Sequence, residues 1–189
     1  MTKLHMLIGF ILLALCFIAS EASALPVNET VNGFMIAFDI KDDTNMIIKV
    51  WGNGDTFSNS SENMPDLNAS SLACVAAGNG EKIDSSSAMC FVIVLNTAEN
   101  TSSIEEKIID DINKKYLRVY DRVFDGHKGL LIKEGNSSSD PDMESVGLYW
   151  LDEDQGKASK LVTVATSLPW DDGAEQLMNT VHVEEIQNN

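Results

Sequence analysis

Apolar and polar residues alternate over 33–40, placing Phe34, Ile36 and Phe38 on one face of an extended chain. Residues 46–51 are again apolar and rich in Ile and Val, which predicts a second strand. The polar cluster at 41–45 between them predicts a hairpin of the two. Residues 25–32 are polar and read as a short mobile lead-in. Residues 52–87 read as a loop-rich insert dense in Gly, Asn and Ser. Inside it, 67–77 is either a short helix capped by Asp66 and ended at Gly78, or a short strand around 72–76. Residues 88–95 are continuously apolar, the pattern of a buried strand.

The period then changes. Ser103 and Glu106 form a capping box, and Ile104, Ile108, Ile109, Ile112 and Tyr116 recur on one helical face. Lys114 and Lys115 sit near that helix's C-terminus, where the dipole favours cations. Strand-like segments at 117–124 and 130–133 flank the turn 125–129, a further hairpin. Residues 146–151 and 161–167 read as two more strands around the charged turn 152–157. Pro169 and Trp170 stop the last of them, and Asp171 or Asp172 caps a closing helix with Ala174, Leu177, Met178 and Val181 inward. Short hairpins outnumber regular βα units, so the expected class is α+β, an antiparallel sheet packed by helices.

In that order of elements the chain resembles the Mog1/PsbP-like fold. The segments that carry the resemblance are 103–116, 123–131, 161–164 and 174–181, with the hairpin at 33–51. The fold hosts extrinsic photosystem subunits, a Ran-binding protein and many exported proteins. The resemblance implies a non-catalytic binding or accessory module and assigns no residue.

The first 24 residues give this architecture a location. Lys3 precedes an apolar run over 6–18, and Ala22-Ser23-Ala24 offers a cleavage site, the pattern of a secretory signal peptide. Cleavage there leaves 165 of the 189 residues, one domain with no further span of bilayer length. An uncleaved anchor and a lipid attached at Cys16 are the other readings of this leader.

Charge narrows the partners. With 29 acidic against 13 basic residues the net charge is −16, which repels phosphate backbones and argues against nucleic acid. Beyond the leader, Cys74 and Cys90 form an even pair in an exported chain, and a disulfide between them is expected. Five sequons predict glycosylation at Asn28, Asn59, Asn68, Asn100 and Asn136.

Candidate chemistry is sparse. There is no Gly-x-Ser-x-Gly elbow and no phosphate loop. His127 reads as a turn histidine and His182 as a helix-end histidine, with nothing in the spacing to join them. Asp140, Asp142 and Glu144 alternate in a polar loop and are the candidate ligands of a calcium ion, although the loop lacks the glycine and distal Glu of an EF-hand. Trp51, Tyr149, Trp150 and Trp170 read as core or sheet-capping rings, and the adjacent Tyr149 and Trp150 must face opposite sides of their strand. The resulting expectation is an exported, acidic, non-catalytic module that binds protein at the cell exterior. A secreted metal-assisted hydrolase and a calcium-binding envelope protein are the alternatives.

Overall fold

The computed structural model describes residues 24–41, 46–52, 69–79, 89–99, 101–112, 117–134, 144–152 and 159–186. In chain order the strands are β1 (Ala24–Val31), β2 (Phe34–Lys41), β3 (Met46–Trp51), β4 (Ala69–Asn79) and β5 (Cys90–Thr97). Helix α1 (Thr101–Ile112) leads to β6 (Leu117–Phe124), β7 (His127–Glu134), β8 (Glu144–Asp152) and β9 (Ser159–Thr166). A 3-10 turn (Trp170–Asp172), helix α2 (Ala174–Thr180) and β10 (His182–Glu185) follow.

These strands make two antiparallel sheets. The larger has the order β3-β4-β5-β9-β8-β7-β6 and the smaller β1-β2-β10. The chain reaches the large sheet's centre at β5, crosses to its far edge through α1, and returns as the meander β6 to β9. Because β5 and β9 lie centrally with both faces buried, they read as continuous apolar runs instead of alternating ones.

Two cores result from the pleat. On one face of the large sheet Val75, Val92, Val164 and Tyr149 meet Ile36, Phe38 and Ile40 of β2 and Leu177 and Met178 of α2. On the other face Ile93, Leu148, Trp150 and Leu161 gather with Ile104 of α1. Tyr149 and Trp150 thus divide between the two faces, as adjacent strand residues must.

The expected α+β class does not hold. The second layer over the first core is mainly another sheet, and the fold is predominantly antiparallel β. Three departures account for this. Residues 24–31 are not a loose lead-in but strand β1, whose only buried side chains are Val27 and Val31. The segment that read as helix or strand is the eleven-residue strand β4. The chain after the closing helix forms β10, paired with β2. The expected hairpin of 33–40 with 46–51 is also absent, since β2 pairs with β1 and β10 whereas β3 pairs with β4 in the other sheet.

Helix α1 starts at Thr101, two residues before the expected cap, and the Ser103 hydroxyl donates to Glu99 instead. Ile104 is buried as expected, while Lys114, Lys115 and Tyr116 lie outside the described residues. The closing helix buries Ala174, Leu177 and Met178, but its cap position is Gly173, not an aspartate.

The expected disulfide between Cys74 and Cys90 is not formed; both cysteines are free and buried. Cys74 is opposite Ile93 and Cys90 opposite Ala77, so the two are offset along β4 and β5. They also belong to opposite cores. Strand alternation therefore points the two thiols to opposite faces of one sheet, a geometry no disulfide spans. The Cys90 thiol faces the Ala77 carbonyl at 3.9 Å.

Two predictions follow from the packing. A Cβ on Gly147 would lie 2.8 Å from Phe124 Cε1 and 3.0 Å from Met178 Sδ, so Gly147→Ala overpacks the first core. The expected loss is about 1–3 kcal/mol in urea unfolding; an unchanged midpoint contradicts this packing. Burial raises both thiols from 9.0 to about 12. The folded state then holds thiol protons that the unfolded chain releases, so this stability is complete below pH 9 and drains away as pH climbs toward 12. Iodoacetamide is expected to label both cysteines in denaturant and neither in the native protein, and Cys74→Ala/Cys90→Ala is expected to flatten the alkaline fall in stability. Resistance to labelling in non-reducing denaturant would show the pair oxidised.

Candidate functional site

The β6–β7 hairpin is closed by Asp125 and Gly126, with φ of 50° and 82°. Both lie in the left-handed region, the requirement of a two-residue type I′ turn, and Asp-Gly is among the few pairs that meet it. The turn is thus tighter than the expected 125–129. It sets the register, with Arg118 opposite Lys133, Tyr120 opposite Leu131, Arg122 opposite Gly129 and Phe124 opposite His127.

Directly opposed residues share a face. On the first-core face Phe124 and Leu131 are buried, while Arg118 and Tyr120 are exposed at the strand's outer end. Trp170, from the 3-10 turn, sits over this end. Lys133 Nζ lies 3.6 Å from its ring centroid and the Arg122 guanidinium carbon 5.2 Å. Arg122 also donates to Asn179 of α2 and lies 5.7 Å from the Phe124 ring. Each such cation–ring contact stabilises by roughly 0.5–2 kcal/mol depending on exposure. Together they fix an aromatic ring between two cations. Tyr120 stays in solvent beside them at 44% exposure, while Val123, at 62%, is exposed on the hairpin's opposite face.

The hairpin itself, 117–134, carries four basic residues (Arg118, Arg122, Lys128 and Lys133) against three acidic ones (Asp121, Asp125 and Glu134), a net +1 in a chain of net −16. Residues 114–133 contain 6 of the 13 basic residues and only 2 of the 29 acidic ones, Asp121 and Asp125. The rest of the chain carries 27 acidic against 7 basic residues. On the described hairpin Arg118 and Lys128 are exposed. At physiological ionic strength the screening length is about 8 Å, so a ligand at this edge senses mainly the hairpin's own charges and little of the acidic remainder.

A second constellation lies at the turn. The Asp125 carboxylate is 2.8 and 2.9 Å from His182 Nδ1 and accepts the Val183 backbone N–H at 3.2 Å. His182 is therefore not a helix-end residue but the first residue of β10. His127 opens β7 and stacks on Tyr149 at 5.7 Å, with Phe124 on the same ring at 5.6 Å. Burial, and then the negative charge of Asp125, push the Tyr149 phenol upward, so it remains protonated. The arrangement fastens a hairpin tip to an edge strand.

The remaining candidates are not assembled. Asp140 and Asp142 lie outside the described residues; Glu144 opens β8 opposite Glu134. No three His, Cys, Asp or Glu side chains among the described residues converge as a metal-binding group. Asn28 is exposed on β1, and Asn59, Asn68, Asn100 and Asn136 fall outside the described residues, as do residues 1–23. Trp51 is half-buried against the second core. No helix among the described residues is long and apolar enough to cross a membrane.

The basic edge escaped the motif reading, although a running charge count over 114–133 reveals it. The Asp125–His182 pair had no such signal, because its members are 57 positions apart. No family model, curated protein or solved structure matches the chain, so none bears on the Mog1/PsbP-like resemblance.

Asp125→Ala removes an acceptor for two groups and strains the left-handed turn, with an expected loss of about 1–3 kcal/mol. Asp125→Asn retains the turn preference and is expected to lose less. Chemical denaturation gives the ranking, and hydrogen exchange at the Val183 amide shows whether the loss is local. Equal stability of all three proteins contradicts the fastening role.

Proposed function

We propose that this chain is an exported, non-catalytic binding module that takes a protein partner at the cell exterior through its β6–β7 edge. The observation that supports this most is the segregation of charge. In a chain of net −16 this one hairpin is net +1, with Arg118, Arg122 and Lys133 on the face of solvent-exposed Tyr120 and the ring of Trp170, and Lys128 and Val123 exposed on its other face. Aromatic and Arg side chains grouped at a partly desolvated patch are the composition that contributes most to protein recognition. The leader at 1–24 supports export, and the exposed Asn28 sequon on β1 supports passage through a glycosylating compartment. The acidity of the rest of the surface argues against nucleic acid as the ligand.

Cross-linking of the tagged mature protein at the native cell exterior, read by mass spectrometry, tests this. A stoichiometric partner is expected, linked through Lys128 and Lys133, and Arg118→Glu is expected to cut its yield about tenfold, chiefly by slowing association. A partner linked only through Lys41 or Lys160, or no partner above background, overturns the proposal.

A further inference from the structure

The geometry points to a mode of binding: an acidic, extended segment of the partner adds to β6 as a further strand of the large sheet. This rests on the binding reading above and specifies its chemistry.

Four strands lie at sheet edges among the described residues, β1 and β10 in the small sheet and β3 and β6 in the large one. Edges are normally protected against pairing by proline, charge or shortness. In β1, Pro26 lacks a donor and Asn28 is an exposed glycosylation acceptor. β10 has four residues and exposes Glu184 and Glu185. β3 has six residues. β6 has eight, contains no proline, and pairs with β7 in unbroken register from Leu117 to Phe124. A two-residue turn makes Phe124 and His127 a hydrogen-bonded pair, and the ladder alternates from there. The N–H and C=O groups of Leu117, Val119, Asp121 and Val123 are consequently the ones directed away from β7.

The charge on β6 selects the occupant. In an antiparallel pairing of β6 with a second copy centred on Tyr120, Arg118 lies opposite the other copy's Arg122, twice over. Like charges directly opposed destabilise a ladder, so a second copy is disfavoured. An incoming acidic strand meets the reverse situation. Carboxylates four residues apart lie opposite Arg118 and Arg122, and the residue midway between them lies against Tyr120 and wants to be apolar. Backbone pairing supplies affinity in this mode, and the alternating side chains supply selectivity.

The test uses the full secreted chain, 15N-labelled, and a seven-residue peptide with Glu at its second and sixth positions, Val at its fourth and Thr elsewhere. Amide exchange at Leu117, Val119, Asp121 and Val123 is expected to slow on binding. Backbone N-methylation of the peptide, or Lys in place of its Glu residues, is expected to abolish that protection. Val123→Pro is expected to weaken binding about tenfold, the equivalent of one lost ladder hydrogen bond, and Val123→Thr to have little effect. Binding that shifts Arg118, Lys133 and Trp170 without amide protection overturns strand addition and leaves the binding surface standing. Failure of the peptide to bind at millimolar concentration, while a native partner still cross-links through Lys128 and Lys133, overturns the acidic-strand occupant alone. Failure of both overturns this inference together with the proposed function.

Discussion

The capture of β10 is the constraint on which the rest of the structure depends. Four residues are too few to hold a strand by ladder bonds alone, yet without β10 the small sheet is only the β1–β2 hairpin. Several unrelated groups therefore converge on it. Asp125 accepts the Val183 N–H, and the Ile186 N–H donates to the Gly33 carbonyl at 2.7 Å. Lys160 of β9 bridges Glu185 and Asp152 at 2.7 and 3.2 Å, which holds its ammonium charged to higher pH than usual. Just upstream, the Thr180 hydroxyl accepts the Asp39 N–H and ties α2 to β2. With β10 in place, Ile36 and Val183 close the first core under α2.

Both type I′ turns take part in joining the sheets, and they do so reciprocally. Asn32 and Gly33 turn β1 into β2 with φ of 51° and 84°, and the Asn32 amide donates to the Leu72 carbonyl in the large sheet. Asp125 belongs to the large sheet and reaches into the small one. In each case the left-handed residue is one whose short polar side chain tolerates that conformation and can also act as a connector. The demands of the turn and of the inter-sheet contact thus select the same residue types.

Legibility in the sequence followed burial. β2 alternates because one face meets the first core, and its face was read correctly. β5 was legible because a long apolar stretch leaves few alternatives, and α1 was legible from its helical spacing with Ile104 buried, although its start was not. β1 was not, because it is an edge strand with most side chains in solvent, so Pro26, Asn28 and Glu29 mask the period. β10 was hidden behind the helical spacing that ends at Val181. The β2–β3 hairpin failed because adjacency in sequence says nothing about a change of sheet. The cysteine count failed for a related reason: parity of number carries no information about which face each thiol occupies. At the site, Arg118, Arg122, Lys128 and Lys133 were legible as charge but not as a surface, since the placing of Arg122 and Lys133 against Trp170 needs the fold.

The pairing of β2 with β10 also orders events in time. Ala37 must wait for His182, and Ile36 for Val183, across most of the described chain. A ribosome delivers β10 after every strand of the large sheet, so that sheet with its hairpins can assemble while the small one is still open. During that interval the apolar face of β2 lacks its final neighbour and stays available to chaperones. The order of synthesis thus determines when this molecule can close, and a chain stalled before β10 emerges keeps that face of β2 open.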